Sequence, residues 1–201
     1  MTLPPVEHAG PVPDGVEGAD PAHVAAVVAL ARAASPAVGP TVVVAVDGRS
    51  GSGKTVLGTA VAAALGCPVV HVDHLFPGWD GLRAGVDLLT HHVLDPITNG
   101  DRAAYRQWDW MRDRPGRTVT VEAGPLLVVE GCGALVPPAV SYAAVRVWLD
   151  APDPLRKQRA LARDGDTYAP HWERWAAQEE AVYAVARPRD SAHLVLRTGP
   201  A

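Results

Sequence analysis

The segment Gly48-Arg49-Ser50-Gly51-Ser52-Gly53-Lys54-Thr55 constrains this chain more than any other. It spells G-x-x-x-x-G-K-[ST], the pattern of a loop that wraps a polyphosphate. The glycines let the backbone turn tightly, so that successive N–H groups converge on an anion at a helix N-terminus. Gly48, Ser50, Gly51, Ser52 and Gly53 are the expected cradle, with Val56 counted in the same site. Lys54 is placed to reach the β- and γ-phosphates, and the Thr55 hydroxyl to ligate Mg²⁺. The flanks agree. Residues 41–46 form a continuous apolar, β-branched run, as in a strand buried on both faces. Residues 54–65 read as a helix stopped by Gly66 and Pro68. A nucleoside triphosphate is the expected ligand, with ATP and Mg²⁺ as cofactors.

The rest of the chain supplies a frame for that loop. Strands are predicted at 41–46, 68–72, 125–129, 144–149 and 193–197, with helices near 54–65, 83–95, 153–163 and 170–186. This alternation predicts an α/β three-layer sandwich with a mostly parallel five-stranded sheet. Asp20-Pro21 introduces a further helix, Ala22 to Ala34, closed by Ser35-Pro36. Residues 1–20, rich in Pro, Gly and acids, read as a flexible tail ahead of one domain over 21–201, with a lid at about 153–170.

Composition narrows the partners. With 18 Lys and Arg against 22 Asp and Glu, the net charge of -4 gives no electrostatic basis for binding nucleic acid or an anionic membrane. A small-molecule substrate is expected, and a homo-oligomer is left open. Two cysteines, Cys67 and Cys132, cannot build a disulfide framework, and no apolar run spans a bilayer. The expected location is the cytoplasm.

In parallel sheets of this kind ligands bind beyond the carboxyl ends of the strands, so residues just after each strand are the candidates for chemistry. Asp73 follows the second strand, where a carboxylate can take a hydroxyl proton or help to hold the metal. A turn or capping aspartate is the alternative. His71 and His74 flank it as pocket-wall or solvent-facing residues, and Asp47 is expected to bond locally. Glu130 ends the third strand, opposite Thr55 across a metal site. Arg156, Arg159 and Arg163 fall at i, i+3 and i+7, one face of a helix. That stripe reads as a basic lid, with Arg156 on the nucleotide and Arg159 and Arg163 stabilising charge in transfer. A solvated, ion-paired face is the alternative. On the acceptor side, Asp80 suits sugar hydroxyls, and Trp108 and Trp110 suit a base if they share one face of an extended segment. Trp172 and Trp175 are expected to pack beneath the lid.

These residues together resemble the uridine kinase branch of the P-loop kinases, related to phosphoribulokinase and pantothenate kinase. The resemblance runs from about Val42 to Thr198. It rests on Asp47 to Thr55, the Asp73-x-x-Phe76 step, Trp108-Asp109-Trp110, Leu127 to Gly131 and the arginine-rich helix. It implies phosphoryl transfer from ATP to a nucleoside 5′-hydroxyl. Asp73 takes the role of base, Glu130 that of magnesium-site acid, and Asp80 that of the acid on the sugar hydroxyls. Trp108 and Trp110 stand for aromatics around the base, and Arg156, Arg159 and Arg163 for lid arginines. The chain departs from the family in a shorter stretch after Phe76 and in a lid ending Arg163-Asp164-Gly165-Asp166. It also carries Arg112-Asp113-Arg114 where a base-reading histidine is expected, which makes Arg114 a substrate-binding candidate. Three other readings stand beside this one. A nucleoside monophosphate or another small metabolite is an alternative acceptor. A non-catalytic ATP-binding regulator is opposed by intact Lys54, Thr55, Asp73 and Glu130. A switch GTPase is opposed by the position of the D-x-x-G run Asp113 to Gly116 and by the lack of N-K-x-D.

Overall fold

The computed structural model describes residues 18–199. The tail reading for 1–20 lies almost wholly outside these residues. Its end is ordered: Asp20 caps the first helix, α1 (Pro21–Ala33), by accepting the Ala22 amide at 2.8 Å.

A five-stranded sheet organises the molecule. Its strands are β1 (Val42–Asp47), β2 (Val69–His71), β5 (Leu126–Glu130), β6 (Ala143–Asp150) and β7 (Leu194–Arg197). Their spatial order is β2-β5-β1-β6-β7, and every pairing is parallel. β1 is central and buried throughout, which is why its sequence is apolar without alternation. Its side chains nonetheless divide by the period of two. Val44 and Val46 join a core beneath α1 and α2 (Lys54–Leu65). Val43 and Ala45 join the core on the opposite face, with α3 (Leu82–Leu89) and α6 (Trp172–Ala186). Helices thus cover both faces, and the three-layer sandwich expected from the sequence is the observed one.

The predicted helix at 83–95 is interrupted. α3 passes into a wider π-turn over Thr90–Leu94 and then a short α4 (Asp95–Thr98). Pro96 removes the amide that the His92 carbonyl would accept in a regular helix. α5 (Asp153–Tyr168) outruns its expected end, with a non-helical Gly165 inside it at φ 51° and ψ −132°. A one-turn α7 (Pro188–Ser191) precedes β7.

An unexpected element is an antiparallel ribbon, β3 (Ala103–Asp109) with β4 (Arg114–Val121), separate from the main sheet. Val121 of β4 is buried and Val119 half-buried, so the alternation is confined to the last four residues, Thr118 to Val121. β3 also ends at Asp109. Trp110 therefore sits in the turn, and the expectation that Trp108 and Trp110 share a strand face is corrected. The run Asp113 to Gly116 belongs to this ribbon and follows no core strand.

Candidate active site

The loop between β1 and α2 closes where three strands end. Gly48, Gly51 and Gly53 adopt φ of 154°, 79° and 97°, a region that favours glycine. Close approach adds to the need. A Cβ on Gly48 would stand 2.3 Å from the Leu149 carbonyl oxygen, and one on Gly51 2.1 Å from that of Arg156. Lys54 opens α2 directly, and its ammonium donates to the Arg49 carbonyl at 3.0 Å. Burial opposes that charge, but the carboxylates of Glu179, Glu130 and Asp47 outweigh it and hold the lysine above its ordinary pKa. Ser52 is fully buried, with no partner for its Oγ among the described residues. An orphaned hydroxyl inside a cradle of left-handed glycines fits a phosphate-oxygen ligand.

The two residues expected at a metal are also close together. Thr55 Oγ1 donates to Glu130 Oε2 at 3.3 Å, so the two expected ligands already face each other. Glu130 is 2% exposed, and its side chain lies over Gly58 of α2. His71 Nδ1 donates to its other oxygen at 2.5 Å. Burial opposes the charged imidazole, yet the bond to Glu130 and the charges of Glu130 and Asp73 raise its pKa above the ordinary histidine value. His71 is thus a half-buried partner of Glu130 rather than a pocket wall. Among the described residues no three His, Cys, Asp or Glu side chains are arranged so that they could hold a metal ion between them. Such a site suits Mg²⁺ held by one or two protein oxygens with phosphates and water completing the shell. Gly131, at φ 146°, packs against Val72, where a Cβ would come to 2.6 Å.

Asp73 lies in a 3₁₀ turn (Val72–His74) directly after β2, with its side chain exposed. Its carbonyl accepts the Trp110 indole N–H at 3.2 Å. The charge of Asp73 contributes to the electrostatics of His71, His74 and Arg163. His74 is held below its ordinary pKa, chiefly by burial.

The arginine stripe divides by depth. Arg163 is half-exposed and paired to Asp164, at 2.6 Å. Arg159 donates to Thr198 Oγ1 at 2.9 Å, and Thr198 in turn donates to the Ser52 carbonyl. Arg156 is buried, contrary to a stripe lying over the phosphates. It donates to the Ser50 carbonyl at 2.9 Å and to Asp153 at 2.7 Å, with Glu179 3.9 Å away. The Arg156 backbone packs on Gly51, and its side chain reaches the neighbouring Ser50 carbonyl.

The acceptor candidates occupy different surroundings from those expected. Asp80 is exposed and ion-paired to Arg174 of α6. The Trp110 ring packs on Trp79, with centroids 4.6 Å apart. Trp108 lies against Gly78, its indole nitrogen buried and unpartnered among the described residues. Arg114 is exposed on β4. Trp172 and Trp175 are buried, Trp172 against Tyr168 of α5 and Trp175 against Phe76.

Sequence reasoning missed two buried carboxylates' full roles. Asp47, 0% exposed, accepts the amides of Gly48 at 2.7 Å, Gly133 at 3.1 Å and Leu135 at 2.8 Å, and the Tyr183 hydroxyl at 2.8 Å. Burial nevertheless pushes its pKa up from 3.8 to about 6. Glu179 was not singled out at all. At 1% exposure it accepts the Ser50 amide at 2.6 Å, the Trp175 indole N–H at 3.1 Å and the Cys132 thiol at 3.3 Å. The local hint is a glutamate four residues after Trp175 and four before Tyr183, on a helix face whose other buried residues are aromatic.

Comparison with known proteins follows the same lines. No family profile matches the chain, and no curated protein does. Solved structures do. A possible uridine kinase from Bacillus stearothermophilus superposes with a TM-score of 0.64 at 18% identity, covering 87% of this chain and 97% of that one. A candidate fructose transport system kinase from a Silicibacter species gives 0.50 at 22% identity, covering 88% and 98%. Shikimate kinase from Acinetobacter baumannii gives 0.50 at 18% identity, covering 80% and 86%. With its parallel order β2-β5-β1-β6-β7 and a phosphate loop after the central strand, the chain has the fold of the uridine kinase-like P-loop kinases.

Proposed function

We propose that this protein is a small-molecule kinase that transfers the γ-phosphoryl group of ATP to a hydroxyl. The carrying observation is the juxtaposition at one strand edge of the Lys54 loop, the Thr55–Glu130 pair and an exposed Asp73. Main-chain amides of the loop and Lys54 would hold the β- and γ-phosphates, and Thr55 and Glu130 would hold Mg²⁺. The metal would neutralise charge on the phosphate oxygens as the bond between the γ-phosphorus and the β–γ bridging oxygen breaks. Asp73 takes the proton of the acceptor hydroxyl while its oxygen bonds to the γ-phosphorus, and ADP leaves. Arg159 and Arg163 supply positive charge from α5. The kinase fold of the structural neighbours supports this reading.

The family resemblance favours a nucleoside 5′-hydroxyl as acceptor. A second acceptor class, another small hydroxyl metabolite, draws support from the surroundings of Asp80 and Trp110. The groups expected to read sugar and base are engaged by Arg174 and Trp79 instead. A panel of nucleosides, nucleoside monophosphates and sugar or hydroxy-acid acceptors at fixed Mg-ATP tests both. Turnover with nucleosides selects the first, and turnover with other alcohols alone selects the second. Tight ATP binding with no turnover on any acceptor would make the protein a regulator and overturn both.

A further inference from the structure

Ser50 is the point at which the phosphate loop is tied to the rest of the site. Each of its polar groups has a partner more than a hundred positions away in sequence. Its amide donates to Glu179 at 2.6 Å, its carbonyl accepts from Arg156 at 2.9 Å, and its hydroxyl accepts from Tyr168 at 2.9 Å. All four residues are buried. A buried donor or acceptor left without a partner is costly, so the backbone at Ser50 moves only together with these three side chains.

Tyr168 reaches further. Its ring stacks on Trp79, with centroids 5.1 Å apart and planes 20° apart, and Trp79 stacks in turn on His171 at 4.5 Å. The same short segment is held from α6, where Gln178 donates to the Trp79 carbonyl at 2.6 Å and Arg174 pairs with Asp80. One side chain therefore touches the phosphate loop with its hydroxyl and the acceptor-side segment with its ring.

We infer that Tyr168 is a positioning residue that transmits occupancy of the phosphate loop to the segment around Trp79 and Asp80, with Ser50 as the joint. This rests on the kinase reading above and adds to it a coupling between donor and acceptor sides. Two sites coupled in this way share one free energy, so a nucleotide that orders the loop also orders the segment before any acceptor arrives. Glu179 and Arg156 hold the other two atoms of Ser50 and keep the joint stiff. Their mutual charge pairing lets a carboxylate sit beside a loop built for anions.

Amide hydrogen exchange on the full chain tests the inference, with Mg²⁺ and a non-hydrolysable ATP analogue as the probe. At saturating analogue, the wild type should show exchange slowed about tenfold at residues 76–81, as expected when a local opening is suppressed. Tyr168→Phe keeps the ring stack and removes only the bond to Ser50. It should lower affinity for the analogue about fivefold, the scale of one uncharged hydrogen bond. At saturation its slowing at 76–81 should be largely lost. Ser50→Ala removes the same bond from the other end, should repeat the result, and serves if Tyr168→Phe fails to fold. Full slowing at 76–81 in saturated Tyr168→Phe or Ser50→Ala would overturn the coupling, as would analogue binding by the wild type with no change there. No analogue binding by folded wild type would overturn the kinase reading itself, and this inference with it.

Discussion

The donor and acceptor halves of the proposed site are built differently. Around the phosphate loop, buried polar groups are densely satisfied: Asp47 accepts four bonds, Glu179 three, and Ser50 is held through its amide, carbonyl and hydroxyl. The orphans on that side are Ser52 Oγ, inside the loop proposed to hold phosphate, and Trp148 Nε1 on β6 beside Asp47. Beside the acceptor segment, His74 Nδ1 and Trp108 Nε1 are buried without partners among the described residues, and the ribbon carrying Trp108 is largely exposed. A triphosphate is the same in every kinase, so its site is made by rigid backbone geometry. Acceptors differ, and their site is made of side chains on peripheral elements.

That contrast can be broken most sharply at the loop. Lys54→Ala should cut phosphoryl transfer by about 10³-fold, the scale of losing a main charge-stabilising donor, and weaken nucleotide binding with it. Steady-state rates with calorimetry would show both, and an unaffected kcat would remove Lys54 from the chemistry.

The next effect concerns the stiffness of the donor half. Asp47 has its pKa raised from 3.8 to about 6 by burial, so the native state holds this proton more tightly than the unfolded chain. Its protonation therefore adds stability that is complete below about pH 4 and lost as pH rises through about 6, amounting to about 3 kcal/mol. The stability difference between wild type and Asp47→Asn, from urea unfolding, should grow in favour of the wild type as pH falls from 7 to 4. A difference independent of pH would contradict a buried, proton-retaining Asp47.

On the acceptor half, Asp73→Asn should leave nucleotide affinity nearly intact and slow transfer by about 10²-fold, as for loss of a general base. Unchanged single-turnover rates would assign Asp73 to the turn alone. The smallest effect is expected at Asp80. Its pair with Arg174 is largely exposed, so Asp80→Ala should change stability by less than about 1 kcal/mol. If Asp80 nonetheless reads a sugar, the same variant will raise the KM for a nucleoside acceptor and leave that for ATP alone.

What could be read before folding follows from range. The run 41–46, the glycine-rich loop and the helix 54–65 are determined by neighbours in sequence, and β1 and α2 appear within a residue of their expected ends. Glu130 and Asp73 were legible because an acid at the end of an apolar strand has one place to go in a parallel sheet. Arg156 shows the limit. Helical spacing put it on a face with Arg159 and Arg163, yet its depth depends on how α5 packs on the loop, and there Arg156 is buried against Ser50. The β3–β4 ribbon was missed because its alternation is short, confined to Ala103 and Tyr105 on β3 and Val119 and Val121 on β4.

The amino-acid sequence by itself determined the alternating α/β plan, the glycine-rich loop and the carboxylates at the strand ends. These depend on backbone freedom at a few glycines and on apolar runs, which are local properties. Only the tertiary structure decided that Ser50 is clamped by Arg156, Tyr168 and Glu179, and that Trp79 and Arg174 engage Trp110 and Asp80. The Ser50 partners lie 106, 118 and 129 positions away, and a hydrogen bond across such a distance exists only once the whole core has fixed both ends.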